Sequence, residues 1–381
     1  MKILYISHLH PPLDRPLENV GGMQNVSIQL VDALEQREDA EIKTILLRAP
    51  WENIGVMTTL FLLKLLWRIP KAVREFKPDV ILFSSMVTAG VLPFLSKKVT
   101  VPAVTINHGQ DVTLPVWIYQ KYLPYIFNRL SGVISVSQAT RKACIERGMD
   151  PSIGGVLPNG YVSRKARALP EKKVAKQKLS EKFDIKFTGT PLLLTVGRQV
   201  KRKGHSWFIH KVMPLLNTHV NYHVIGDGPE FENIKKKVEE SPFKNNICLT
   251  GRQPDEVLRY AYAGADLFIM PNIPVKGDME GFGIVLLEAN QAGVPAVASD
   301  LEGIRDVIEQ GVNGYRVPHG QPEQFAAAID SILNQNLEQL SASSRKYVED
   351  KYNWETVVAH YLKFLDEVVK GKKGAETRVS F

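Results

Sequence analysis

The chain has 381 residues with 48 Lys+Arg against 40 Asp+Glu, a formal charge of +8 and a pI near 9.2. At 44% hydrophobic and 23% charged residues it has the composition of a soluble globular protein of about two domains, which excludes disordered and fibrous classes. Two cysteines, Cys144 and Cys248, exclude a disulfide framework and a Cys-based zinc site, and the basic balance leaves nucleic acid, phosphorylated substrates and anionic membranes open as partners.

Residues 3–6 form an apolar run too short for a signal-peptide core and read as a buried strand. The longest uncharged apolar segment, 53–63, is too short to span a bilayer, so a cytoplasmic protein is expected, with peripheral contact at the inner membrane face left open. Strands are predicted at 2–6, 42–47, 80–83, 103–106 and 132–136, alternating with helices at 23–36, 58–76, 87–95 and 138–147. Apolar strands joined by helices imply a parallel sheet covered on both faces. Residues 163–186 are dense in Lys, Arg and Ala and read as a linker with a surface helix. A second series then begins, with strands at 191–196, 222–225, 247–249, 266–270 and 295–298 and helices at 203–216, 230–239, 254–261 and 282–292. The expected fold class is α/β, two Rossmann-like domains facing across a cleft. Their boundaries are placed at 1–165 and 189–353, with a basic linker at 166–188 and an amphipathic helix at 354–370 before a frayed tail.

Candidate sites follow in chain order. Gly21-Gly22 precedes the first helix, where backbone approaches a phosphate closely. The helix at 58–76 is rich in Leu, carries Trp67, and sets Lys64, Arg68 and Lys71 on one face. It suits either a membrane interface or a core helix with a solvated basic edge, and Pro70 is expected to kink or divide it. His108-Gly109-Gln110-Asp111 follows a strand, and a His beside a Gly there points to a cleft. Trp117, Tyr119, Tyr122 and Tyr125 either line a pocket or pack on the sheet. Asn159-Gly160 reads as a turn at the domain hinge.

Directly after the strand at 191–196 stands Gly197-Arg198-Gln-Val-Lys-Arg-Lys203-Gly204. Arg198 and Lys203 can clamp a diphosphate and stabilise charge on a leaving phosphate, whereas Lys201 and Arg202 read as a solvated turn. The turn Gly226-Asp-Gly228-Pro lacks the third glycine of a dinucleotide fingerprint. In Glu280-Gly281-Phe282-Gly283-Ile284-Val285-Leu-Leu-Glu288 a glycine turn opens an apolar helix. Free N–H groups of Gly281 to Gly283 would receive a pyrophosphate, and Glu288 would accept from ribose hydroxyls. The plain alternative is a helix-start acid at Glu280 and a solvated Glu288. No Asp-x-Asp and no metal-ligand spacing occurs, so no catalytic metal is expected.

Taken in this order, the motifs resemble those of the retaining glycosyltransferases of family GT4, which have the two-Rossmann GT-B architecture. The likeness spans almost the whole chain: Gly-Gly, His-Gly-x-Asp, Pro-Asn-Gly, Gly-Arg-x4-Lys-Gly, Gly-Asp-Gly-Pro, Glu-x7-Glu, and Gly311-Val-Asn-Gly-Tyr-Arg-Val-Pro318. It implies a hexose-type donor, a UDP- or GDP-linked nucleotide sugar, as co-substrate with no further cofactor, and a glycan or lipid-linked acceptor. Donor contacts would come from Gly22, Arg198, Lys203, Gly281, Phe282, Gly283, Ile284, Val285 and Glu288. His108, Arg198, Lys203 and Glu280 would form the catalytic set, with Lys64, Trp67, Arg68 and Asp111 on the acceptor side. No protein nucleophile is implied; the leaving phosphate takes the acceptor's proton, and the last helix crosses back onto the first domain. Departures are Tyr161-Val162 after Asn159-Gly160, and Pro271-Asn272 standing eight residues before Glu280. That longer approach is similar to mannosyltransferases that act on phosphatidylinositol mannosides.

Two other classes compete. A nucleotide-sugar epimerase needs paired proton-transfer groups, and a single His108 argues against it. A membrane-surface protein with a vestigial sugar site fits the pI, whereas nucleic acid lacks any supporting motif. Residues 1–186 hold 26 Lys+Arg against 16 Asp+Glu, a net of +10, and residues 187–381 hold 22 against 24, a net of −2. The excess charge lies with the acceptor half, which favours an anionic acceptor or membrane.

Overall fold

A computed structural model describes residues 1–12, 21–49, 53–95, 99–161, 169–187 and 189–371. Two compact units divide the chain: Met1–Val162 with Lys351–Phe381, and Ser163–Asp350. In the first unit six strands form one sheet: β1 Lys2–His10, β2 Glu41–Arg48, β3 Val80–Phe83, β4 Ala103–Asn107, β5 Gly132–Ser135 and β6 Gly154–Val156. Their order is β2-β1-β3-β4-β5-β6, and every pair is parallel. The second unit repeats the plan with β7 Leu192–Val196, β8 Asn221–Ile225, β9 Ile247–Thr250, β10 Leu267–Met270, β11 Ala296–Asp300 and β12 Gly314–Pro318, ordered β12-β11-β10-β7-β8-β9 and again all parallel. Both are α/β layers, and the central strands are aliphatic on both faces because helices cover both.

In the first unit, helix α1, Gly22–Glu35, joins β1 to β2. The C-terminal helix Trp354–Val369 buries Val357, Val358, Tyr361, Phe364 and Leu365, and Trp354 Nε1 donates to Gln29 of α1 at 2.8 Å. Helix α2, Ile54–Phe76, turns Phe61, Leu65, Ile69 and Ala72 into the core. It runs unbroken through Pro70, so the expected division is absent: tertiary packing of the apolar stripe outweighs one lost backbone hydrogen bond. The segment expected as one helix at 87–95 is instead a single turn, Met86–Ala89, and a 3₁₀ turn, Leu92–Phe94. A helix the sequence pattern did not single out, α3, Trp117–Phe127, buries Leu123, Ile126 and Phe127.

Within the expected linker, helix α4, Lys172–Phe183, docks on the second unit through Ala175 and Leu179. There Asp266 accepts from Lys172 Nζ at 3.0 Å and Lys176 Nζ at 2.7 Å. Residues 162–168 and 188 of that linker, and 372–381 of the expected frayed tail, lie outside the described residues. The helix expected at 203–216 breaks into an α turn, His205–Trp207, a π turn, Phe208–Val212, and a 3₁₀ turn, Met213–Leu215. Phe208 there packs on Tyr222 and Phe325.

Strand order sets where each unit can hold a ligand. Running outward from β7, strands β8 and β9 lie on one side and β10 to β12 on the other, so successive crossovers reverse direction between β7 and β10. The loops after those two strands leave toward opposite faces and open a crevice at the carboxyl edge. In the first unit the same reversal falls between β1 and β3.

Candidate active site

The loop after β7 carries Arg198, Arg202 and Lys203, and the loop after β10 carries Asn272, Asp278 and Glu280. Gly204 lets them meet. It sits at φ +67°, and an added Cβ would lie 1.9 Å from the Pro271 carbonyl oxygen, so no other residue fits without moving backbone. The Ile273 N–H donates to the Arg202 carbonyl at 2.8 Å and fastens the two loops.

Three donors converge on one oxygen. Glu280 Oε2 accepts from Lys203 Nζ at 2.5 Å, Arg202 Nη1 at 3.0 Å and Asn272 Nδ2 at 3.1 Å. Arg202 Nε also donates to Asp278 Oδ1 at 2.9 Å. Lys203 and Glu280 are 7% and 8% exposed, so these charges are removed from bulk water. Burial pushes the Glu280 carboxyl up, but Lys203 and Arg202 together outweigh it and hold it below its ordinary value. Burial lowers the Lys203 ammonium, with Glu280 opposing. The Glu280 N–H donates to Glu302 Oε2 at 2.5 Å, and Glu302 takes φ +47°, a left-handed conformation costly for a side chain of its size. Burial, with the nearby Glu280 charge adding to it, raises the Glu302 carboxyl.

Arg202 therefore corrects the sequence reading. It is a half-buried member of the charge cluster, because its neighbour in the 3₁₀ turn, Lys203, already faces Glu280 and the turn delivers both cations to one side. Arg198 differs: it is exposed, and among the described residues no ion pair is found for it. The helix expected to open at Phe282 opens at Ile284 instead; α5 is Ile284–Gln291, with Gly283 at φ +86° as its N-cap. No side chain caps it, and the first intrahelical bond runs from the Leu286 N–H to the Gly283 carbonyl at 2.9 Å. The amides of Ile284 and Val285 thus form the helix start, just beyond the Gly281 to Gly283 amides expected for it. Glu288, half-buried on α5, accepts from Tyr262 Oη at 2.7 Å.

In the first unit, His108 follows β4. Its Nε2–H donates to the Ser84 carbonyl at 3.0 Å, and burial lowers its pKa, so the ring is neutral with Nδ1 as acceptor. Neighbouring His8 is pushed down to about 4 by burial, with His108 adding to it. Asp111 is buried and turned inward: Oδ1 accepts the His108 N–H at 2.8 Å and Oδ2 the Met86 N–H at 3.0 Å. Those bonds tie the loops after β3 and β4, with one backbone amide on each oxygen. Gly22 opens α1 at the surface. Lys64, Trp67 and Arg68 lie together on the exposed face of α2 and are not joined to His108 by any contact among the described residues. Tyr119 and Tyr122 donate to the carbonyls of Asp111 and Gly90, whereas Trp117 and Tyr125 are exposed. Among the described residues no group of three His, Cys, Asp or Glu is arranged to hold a metal, and no helix is long and apolar enough to cross a membrane.

Comparison with known proteins bears on the family and the fold. The family model described as Glycosyl transferases group 1 matches residues 177–355, and that described as Glycosyltransferase Family 4 matches residues 20–163. The lipopolysaccharide core biosynthesis glycosyltransferase LpsD of Rhizobium meliloti is 26% identical over 92% of this chain and 96% of its own. A GDP-mannose-dependent alpha-(1-6)-phosphatidylinositol monomannoside mannosyltransferase of Mycobacterium tuberculosis is 27% identical over 55% of this chain and 54% of its own. Other relatives match over less than half of their length, 44% and 38%. Among solved structures, Anabaena HepE in complex with UDP superposes with a TM-score of 0.73 at 18% identity, covering 96% of this chain and all of that one.

Proposed function

We propose, for a chain that belongs to glycosyltransferase family 4, the transfer of a hexose-type sugar from a nucleotide-diphosphate sugar to a glycan or lipid-linked acceptor, with retention at the anomeric carbon. The observation that carries this is the cluster at the β7/β10 reversal: a buried Lys203–Glu280 pair, an exposed Arg198 after the same strand, and an uncapped helix start at Ile284. Arg198, Lys203 and the amides of Ile284 and Val285 suit a diphosphate, and as leaving-group charge develops they stabilise it. Glu280 suits sugar hydroxyls, and Glu288, oriented by Tyr262, suits a ribose. His108 on the first unit is assigned to the sugar, as a neutral ring held by Ser84. Catalysis then consists of positioning and electrostatics.

HepE is named as a UDP complex and the mycobacterial relative as GDP-mannose-dependent, so the donor screen includes both bases. UDP-glucose, UDP-galactose and GDP-mannose are titrated against thermal unfolding. The cognate donor stabilises by about 2.7 kcal/mol at a hundredfold excess over Kd. Its α-configured product, read by NMR, supports retention; an inverted product refutes it, and an epimerised donor without acceptor favours the epimerase.

A lipid-borne acceptor is favoured by one surface. On α2, Trp67 is 71% and Val56 70% exposed, with Leu60 and Leu63 beside them and Lys64, Arg68 and Lys71 interleaved. Apolar bulk flanked by cations suits an anionic bilayer interface. Flotation with phosphatidylglycerol vesicles tests it: the wild-type chain floats and the double variant L63S/W67S does not, while soluble variants and wild type alike would leave α2 as a solvated face.

A further inference from the structure

We propose that Arg202 and Asp278 are a positioning pair for Glu280, holding its carboxylate ionised and aimed when Lys203 turns to the donor's diphosphate. The inference rests on the nucleotide-sugar reading of this site. Its starting point is an excess of donors. A carboxylate oxygen offers two lone pairs, yet Oε2 of Glu280 faces Lys203, Arg202 and Asn272 together at 2.5, 3.0 and 3.1 Å. One of the three is replaceable without leaving that oxygen unsatisfied.

Their tethers decide which. Asn272 is 1% exposed and follows β10 by two residues, so its short side chain is fixed. Arg202 is held at a second point by Nε on Asp278 Oδ1 at 2.9 Å, a fork that engages two carboxylates at once. Among the described residues Lys203 makes no ion pair with a second carboxylate; its compact charge ends a flexible four-carbon stem. It is the member able to leave. When it does, Arg202 remains to compensate the Glu280 charge, and the two bonds left match the two lone pairs. Oε1 takes none of the three bonds, so the oxygen presented to a ligand keeps its orientation. The backbone is pinned in the same sense, by the Glu280 N–H on Glu302 and the Ile273 N–H on the Arg202 carbonyl. Strain at Glu302, φ +47°, marks a place where the surrounding structure enforces geometry.

Steady-state kinetics on R202Q, R202K and D278N in the full chain test this, with donor affinity measured separately by calorimetry. For R202Q, kcat falls on the order of 100-fold, the cost of a misaimed group, while the donor dissociation constant holds within about threefold. The acid limb of its kcat–pH profile moves to higher pH, since the Glu280 carboxyl has lost one of the two cations that lower it. R202K restores part of kcat by returning the charge without the fork. D278N, which leaves every partner of Glu280 in place, shows a smaller loss of the same kind. Two results overturn the pair while leaving the functional reading intact: a loss confined to donor affinity with kcat unchanged, or a loss that tracks the folded fraction with an unmoved pH profile. A wild-type chain that binds no nucleotide sugar refutes the functional reading itself, and the pair with it.

Discussion

Replacing Glu280 with Gln removes the carboxylate that accepts from both Lys203 and Arg202. Lys203 and Arg202 balance Glu280 and Asp278 in charge, so E280Q leaves one uncompensated positive charge in a site where Lys203 is 7% exposed. Breaking a buried pair by removing one partner costs about 3–5 kcal/mol. Arg202 retains Asp278, which places the expected loss near ~3 kcal/mol. For a unit of this size each kcal/mol moves Tm by roughly 2–4 °C, so calorimetry at pH 7 should find the second unit melting about 6–12 °C lower. The sign with pH follows. Because Glu280 titrates below its ordinary value in the folded chain, its contribution is fully present above the unfolded carboxyl range and is lost as pH falls through the folded value. The gap between wild type and E280Q therefore closes in acid. K203M leaves Glu280 with Arg202 and Asn272 and should cost less, and the double variant should cost less than the sum of the two. An E280Q protein that melts within about 2 °C of wild type at pH 7 would falsify the claim that this cluster is a desolvated charge hub.

Three further outcomes follow from the packing around these loops and helices. G204A forces a Cβ to 1.9 Å from the Pro271 oxygen at φ +67°; a loss of at least ~2 kcal/mol is expected, and hydrogen exchange should quicken in both the β7 and β10 loops. D266N releases Lys172 and Lys176 together with the Leu192 N–H, so exchange in α4 should rise well before global unfolding; protection equal to wild type would show that Ala175 and Leu179 alone dock the helix. Cys144 and Cys248 are buried and each is pushed up to about 12 by burial, so neither should react with a thiol reagent at pH 8 until denaturant is added.

The fold was legible because its strands are uninterrupted aliphatic runs, and such runs in alternation with amphipathic stretches admit few other architectures. The misses have separate causes. Strand β6 is Gly-Gly-Val and β12 is Gly-Tyr-Arg-Val-Pro, so neither carries the β-branched density that marks their neighbours. Helix α3 escaped notice because Pro124 and five aromatics obscure its period, whereas Leu123, Ile126 and Phe127 show it once buried. In the candidate site, Arg198, Lys203 and Glu280 could be singled out because a strand end predicts where a loop delivers its side chains, and Glu288 because it lies in the helix that the glycine turn opens. The partners of Glu280 were not. Arg202 and Asp278 lie 76 positions apart, and nothing in Lys-Arg-Lys distinguishes a paired cation from a solvated one. Asn272 and Glu302 matter through loop convergence, which is a tertiary property that no local pattern encodes.

Net charge looks different when counted by compact unit. Residues 1–162 with 351–381 hold 23 Lys+Arg against 17 Asp+Glu, a net of +6, and residues 163–350 hold 25 against 23, a net of +2. Part of the basic excess once placed with the acceptor half belongs to α4 and its flank, within the second unit. That unit remains close to neutral, and its buried cations are already neutralised by Glu280 and Asp278. A diphosphate entering such a site meets no standing surplus of buried positive charge. Compensation has to come from groups held in reserve, the exposed Arg198 and the helix-start amides, together with Lys203 if Arg202 takes over Glu280. Near-neutrality without ligand and positive potential on demand are compatible only when one anion is shared by two cations with unequal tethers. That is the arrangement at Glu280, and under the proposed function the expected salt dependence of donor binding is shallow, since most of the compensating charge would be buried or fixed in backbone dipoles, where ions in solution screen it little.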